Sequence, residues 1–186
     1  MSDIKILGIC GSLRKGSYNK KLLIFALDTA SSIGFKTSLL DLAALNLPFF
    51  NEDIEKENLE NVKSLKSLVE NADIILISSP EYNYSMPAVL KNALDWLSRA
   101  AKNSLNKKTV IIMGASLSGF GTIRMQSHLR ETLQCLNAYV VTNPQVFVSF
   151  ADKAFSDNGI ITDAKLAETI KALILSSAEL YQKVKN

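Results

Sequence analysis

Gly8-Ile9-Cys10-Gly11-Ser12-Leu13-Arg14-Lys15-Gly16-Ser17-Tyr18-Asn19 joins a short apolar run, Ile4–Ile9, to an amphipathic segment. The run reads as a strand buried on both faces. Small and hydroxylated residues at the turn that follows let the backbone approach a bound anion. The helix start then aims unpaired N–H groups and partial positive charge at that anion. Ser12, Ser17 and Asn19 can add side-chain donors, so the segment reads as a phosphate cradle. Its alternative is an ordinary strand-to-helix turn.

Better-known phosphate motifs do not fit. The nucleotide-hydrolase loop needs G-x-x-x-x-G-K-[ST], which this segment lacks. The dinucleotide fingerprint needs G-x-G-x-x-G, whereas Gly8, Gly11 and Gly16 have other intervals. A small cysteine phosphatase would want Cys-x5-Arg, but Gly16 stands at that offset from Cys10 and Arg14 comes too early.

Working outward, 186 residues suit one domain spanning the chain, with room for a substantial core. With 47% apolar and 21% charged residues, the composition is that of a soluble globular protein. A formal charge of +3, on scattered lysines without an aromatic-basic pattern, gives no case for nucleic acid. Cys10 and Cys135 have no CxxC partner or nearby histidine, so neither a metal site nor a disulfide framework is expected. No signal peptide and no membrane-length apolar segment is visible, which makes the cytoplasm the expected compartment.

Strands and helices alternate along the chain. After the first strand, Leu22, Phe25, Ala26, Thr29, Ala30 and Ile33 share a helical face that Gly34 ends. Lys36–Asp41, Asp73–Ser78 and Thr109–Ala115 read as further strands, and Tyr139–Val141 with Gln145–Val148 as the last. Residues 47–59 read as a loop. Helices are expected over Glu60–Glu70, Pro87–Ala101, Gly121–Leu136 and Asp163–Lys183. Such alternation implies a doubly wound α/β fold, a parallel sheet covered by helices. Ligands in these sheets sit beyond the carboxyl ends of the strands. The loops 10–19, 79–86 and 115–121 should therefore carry the function.

The second loop, Ser79-Pro80-Glu81-Tyr82-Asn83-Tyr84-Ser85-Met86-Pro87, favours a flat aromatic ligand. Two prolines restrict the backbone, so the N–H groups between them are set in place, with tyrosine faces nearby. The alternative is that Tyr82 and Tyr84 merely cap the sheet edge.

Three motifs together carry a family resemblance. Gly11–Asn19, Pro80-Glu81-Tyr82-Asn83-Tyr84-Ser85 and Leu90-Lys91-Asn92-Ala93-Leu94-Asp95-Trp96-Leu97-Ser98-Arg99 resemble the NADPH-dependent FMN reductase family, with greatest similarity to its bacterial chromate and quinone reductases. The resemblance spans roughly residues 4–150. It implies a flavodoxin-like sheet of five parallel strands in the order 2-1-3-4-5.

By position, Ser12, Arg14, Ser17, Tyr18 and Asn19 resemble the residues that hold the FMN phosphate. Pro80, Glu81, Tyr82 and Asn83 resemble the segment along the flavin ring, and Ser116 with Gly119 the third flavin loop. That loop departs from close relatives by carrying Phe120 where small residues are common. The resemblance implies electron transfer from NADPH (or NADH) through FMN to a quinone, flavin, azo or metal-oxyanion acceptor. No amino-acid nucleophile or base, and no metal, is then needed. It also implies a homodimer, paired in some members into a tetramer. A flavodoxin-type electron carrier and a non-catalytic flavin-binding regulator share the fold, but such carriers are strongly acidic. Glu81 is expected to act through its backbone and Asn83 through its side chain. Lys91, Asp95 and Arg99 are expected on solvated or intersubunit faces, and Trp96 in packing with Val89, Ala93 and Ala100. His128 is expected on a helix face or subunit contact.

Overall fold

The structure, a computed structural model, describes residues 3–57, 59–99, 103–156 and 159–185. Strands β1 (Lys5–Cys10), β2 (Lys36–Leu40), β3 (Ile74–Ser78) and β4 (Thr109–Ala115) pair in parallel. The fifth position is shared by β5 (Tyr139–Val140) and β6 (Val146–Val148), both beside β4. The order β2-β1-β3-β4-β5 is the flavodoxin-like one that the sequence motifs imply. Pro144 lies between β5 and β6 and has no N–H for a ladder.

The helices are α1 (Tyr18–Ser32), α2 (Leu42–Leu45), α3 (Glu60–Glu70), α4 (Ala88–Ser98), α5 (Ile123–Cys135), α6 (Ala151–Ala154) and α7 (Ala164–Lys185). The apolar runs divide between two cores by strand alternation. Ile6, Ile74, Leu76, Ile111 and Met113 face a core shared with α1 and α7. Leu7, Ile9, Ile75, Ile77, Val110 and Ile112 face the opposite core, with α3, α4 and α5. Gly8 lets α1 lie close on β1: a Cβ there would stand 2.8 Å from a Leu27 methyl group.

Several boundaries differ from expectation for local reasons. The helix expected from Gly121 starts at Ile123, because Gly121 (φ 54°) and Thr122 (φ 72°) are left-handed. The helix expected to reach Ala101 has its last helical residue at Ser98; Ala100 and Ala101 lie outside the described residues. Arg99 is already extended there, and its guanidinium pairs with Glu52 and Glu55 of the 47–59 loop. That loop contains a 3-10 turn, Glu52–Ile54, and is docked by Trp96. The Trp96 ring is buried, meets Phe50 edge-on, and donates from Nε1 to the Pro48 carbonyl at 2.8 Å. Trp96 is thus core, while Lys91 and Asp95 pair on the surface of α4.

Candidate active site

The carboxyl ends of β1, β3 and β4 converge, and their loops enclose an open cavity of about 320 Å³. Ser12, Arg14, Ser17, Tyr18 and Asn19 line it from the first loop, Pro80, Glu81 and Tyr82 from the second, and Ser116 and Leu117 from the third. Asn83 and Gly119, expected alongside them, are not part of this lining. Tyr82 and Leu117 are each more than half exposed and make the mouth apolar.

The first loop ends in a capped helix. Ser17 Oγ accepts the Lys20 N–H, satisfying one of the orphan donors of α1. The N–H groups of Tyr18 and Asn19 meet no acceptor among the described residues, so they remain available to an anion. Arg14 is exposed; its guanidinium and the Lys21 ammonium lie 5.7 Å and 5.3 Å from the Tyr18 ring centre. The Cys10 thiol sits beneath this loop, where burial pushes its pKa above the ordinary value. It is protonated at neutral pH, which suits packing and not nucleophilic attack.

Asn19 does something the sequence did not disclose. Its side chain is buried, donates from Nδ2 to the Ala115 carbonyl at 2.9 Å, and accepts the Ala115 N–H at 2.8 Å. The same Oδ1 accepts the Ser78 hydroxyl at 3.3 Å. One amide thus ties the start of α1 to the ends of β3 and β4. Contact with Asn19 is chiefly a matter of holding the loops together.

The second loop is a hairpin. Asn83 (φ 49°) and Tyr84 (φ 68°) are both left-handed, the pattern of a two-residue type I′ turn, and Tyr82 and Ser85 exchange both backbone hydrogen bonds. Those two N–H groups, expected to face a ligand, are therefore spent on the turn. The Glu81 N–H has no acceptor among the described residues.

Glu81 itself caps α5. Thr122 provides no side-chain cap, and Glu81 Oε2 accepts the N–H groups of Arg124 at 3.0 Å and Met125 at 3.1 Å. Its other oxygen pairs with Arg124 Nη1 at 3.3 Å. Glu81→Gln retains an acceptor for both N–H groups, so it should keep most activity and stability. Glu81→Ala should cost about 1 kcal/mol, read from chemical denaturation. Equal losses in the two variants would refute the capping role.

Ser85 Oγ lies 3.1 Å from Nδ1 of His128, so the fold brings the chain's one histidine to this hairpin, although His128 is distant in sequence. The third loop is tied to β6 and the segment after it: the Ser116 N–H donates to the Val148 carbonyl, the Phe150 N–H to the Ser118 carbonyl and Ser149 Oγ to the Gly119 carbonyl. A Cβ at Gly119 would press on the Phe150 ring at 3.3 Å. Among the described residues, no group of three or more His, Cys, Asp or Glu is placed to hold a metal, and no helix is long and apolar enough to cross a membrane.

Known proteins share both the sequence and this architecture. The chain is 41% identical over 170 residues to an NAD(P)H-dependent FMN reductase of Pseudomonas aeruginosa, covering 91% of this chain and 90% of that one. It is 35% identical over 188 residues to an NAD(P)H:quinone oxidoreductase of Solanum tuberosum, covering 98% and 95%. Among solved structures it resembles the flavoenzyme NAD(P)H:(acceptor) oxidoreductase of Paracoccus denitrificans, with TM-score 0.87, 29% identity and coverage of 97% and 98%. The model of NADPH-dependent FMN reductases matches residues 4–153, and with the sheet order and the three converging loops this establishes that the chain belongs to that family.

Proposed function

We propose that this protein oxidises NADPH through FMN bound in the cavity and passes the electrons to a small-molecule acceptor of the quinone class. The observation that carries this reading is the convergence of an anion-receiving helix start and a rigid, aromatic hairpin on one cavity. The residues fit FMN: free N–H groups and two serine hydroxyls at one end, and Pro80, Tyr82 and Leu117 as flat apolar walls at the other. When bound, the flavin supplies the hydride and electron chemistry, so the protein needs no nucleophile of its own.

In this reading Ser12, Ser17 and the Tyr18 and Asn19 N–H groups take the phosphate, and Arg14 adds charge at the edge. Pro80, the Glu81 N–H and Tyr82 orient the ring, and Ser116 closes the third side. Asn83 acts by turning the hairpin, and Gly119 by making room for Phe150. Free flavins, azo compounds and metal oxyanions are further acceptors that an open mouth admits. The basic cluster Arg14, Lys15, Lys20 and Lys21 supports NADPH over NADH. A cytoplasmic homodimer belongs to the same reading, supported by Phe49, 82% exposed beside the docked Phe50; sedimentation at micromolar concentration tests it.

The test is an anaerobic absorbance titration of the FMN-reconstituted protein with NADPH. Bleaching of the flavin, reversed by a quinone, is the expected result. A bound flavin that NADPH leaves oxidised would favour an electron carrier, and failure to bind FMN would overturn the reading. In the same assay Arg14→Ala should weaken FMN affinity or raise the NADPH KM about fivefold, the effect of one partly screened charge-assisted hydrogen bond. No change in either removes Arg14 from the site.

A further inference from the structure

Three contacts meet on one side chain in the first turn of α5. The Arg124 guanidinium lies 4.3 Å from the ring centre of Tyr84 and 4.1 Å from that of Phe120. Its Nη1 also pairs with Glu81. Tyr84 is 63% exposed and Phe120 57% exposed, so burial in the core does not hold either ring. The two rings belong to different loops. Tyr84 stands at the tip of the hairpin whose Tyr82 lines the cavity, and Phe120 on the loop whose Ser116 and Leu117 line it.

We propose that Arg124 is a positioning residue that clamps the Tyr84 hairpin to the Phe120 loop and so sets the width of the cavity mouth. A planar guanidinium can stack on an aromatic face while its edge binds a carboxylate, which a lysine ammonium cannot reproduce. Without the stack the two loop tips lose their direct link and are coupled only through α5. The Glu81 cap on the Arg124 and Met125 N–H groups, and the Ser85–His128 contact, do not involve the guanidinium and survive its removal. The clamp can therefore be removed without uncapping α5.

The clamp's consequence for acceptors rests on the flavin reductase reading above. A mouth of fixed width admits thin planar acceptors more readily than bulky ones, and Arg124 is then a determinant of that choice.

The first measurement is hydrogen exchange on the flavin-free protein, which is independent of that reading. Arg124→Ala should speed exchange about tenfold in both 81–86 and 116–121, with Arg124→Lys intermediate. Phe120→Leu should reproduce the change in 116–121. Unchanged exchange, or a change confined to one of the two segments, overturns the clamp. The second measurement compares kcat/KM for p-benzoquinone and for the bulkier azo dye methyl red in the FMN-loaded protein. Arg124→Ala should lower the ratio in favour of the quinone about tenfold, a difference of about 1.4 kcal/mol. An unchanged ratio refutes the role in selection. A wild-type flavin that NADPH cannot bleach would count against the reductase reading, while the exchange result still decides the clamp.

Discussion

Asn19→Ala lowers the thermal midpoint by about 6–12 °C, the equivalent of about 3 kcal/mol in a chain of this size. Its amide makes three hydrogen bonds in a buried position, two to the backbone of Ala115 and one to the Ser78 hydroxyl. Alanine leaves the Ala115 N–H and carbonyl without these partners, and a buried unsatisfied group costs about 1–3 kcal/mol. The same change releases the start of α1 from the end of β4, so FMN affinity should fall by more than about tenfold. Asn19→Asp keeps the acceptor for the Ala115 N–H and the Ser78 hydroxyl, but it loses the donor to the Ala115 carbonyl and buries a carboxylate against that oxygen. It should therefore lower stability as well, with a further loss of flavin affinity from the negative charge beneath the phosphate loop. Differential scanning calorimetry with flavin-fluorescence titration reads both, and a midpoint within about 2 °C of wild type with unaltered FMN affinity would falsify this role for Asn19.

Gly114→Ala is the second large effect, and it arises from crowding. A Cβ at Gly114 would lie 2.1 Å from Thr122 Oγ1, 3.0 Å from Thr122 Cβ and 2.6 Å from the carbonyl oxygen of Ser79. Thr122 is buried and left-handed, and Ser79 is fixed to β4 through its N–H to Met113, so neither neighbour yields readily. Overpacking of this kind typically costs about 1–3 kcal/mol. The effect is local to the site, because Ser79 leads into the hairpin and Thr122 leads into the helix that Glu81 caps. Gly114→Ala should therefore lower FMN affinity as well as stability. A stable variant with wild-type flavin affinity would show that the loops have slack here.

Much of this could be read from the chain. Continuous apolar runs such as Ile74–Ser78 and Thr109–Ala115, short and rich in β-branched residues, read as strands covered on both faces, and their alternation with amphipathic helices leads to a parallel sheet. The rule that such sheets bind ligands at their carboxyl ends singled out the three loops that line the cavity. The short helices α2 and α6 were missed because each is a single turn, too brief for any periodicity to show.

Local composition and spacing determined the sheet, its order through the family motifs, and which loops meet. What each loop residue does was decided only by the tertiary structure. Asn19 reads as a phosphate donor, and its side chain ties α1 to β4; Glu81, expected to act through its backbone, caps α5 with its carboxylate; His128, expected on a helix face or subunit contact, and Arg124 both reach the hairpin. The physical reason is common to all four. Strand and helix formation depend on neighbours a few residues away, whereas a side chain's hydrogen-bond and stacking partners are whatever groups the finished fold leaves unsatisfied beside it.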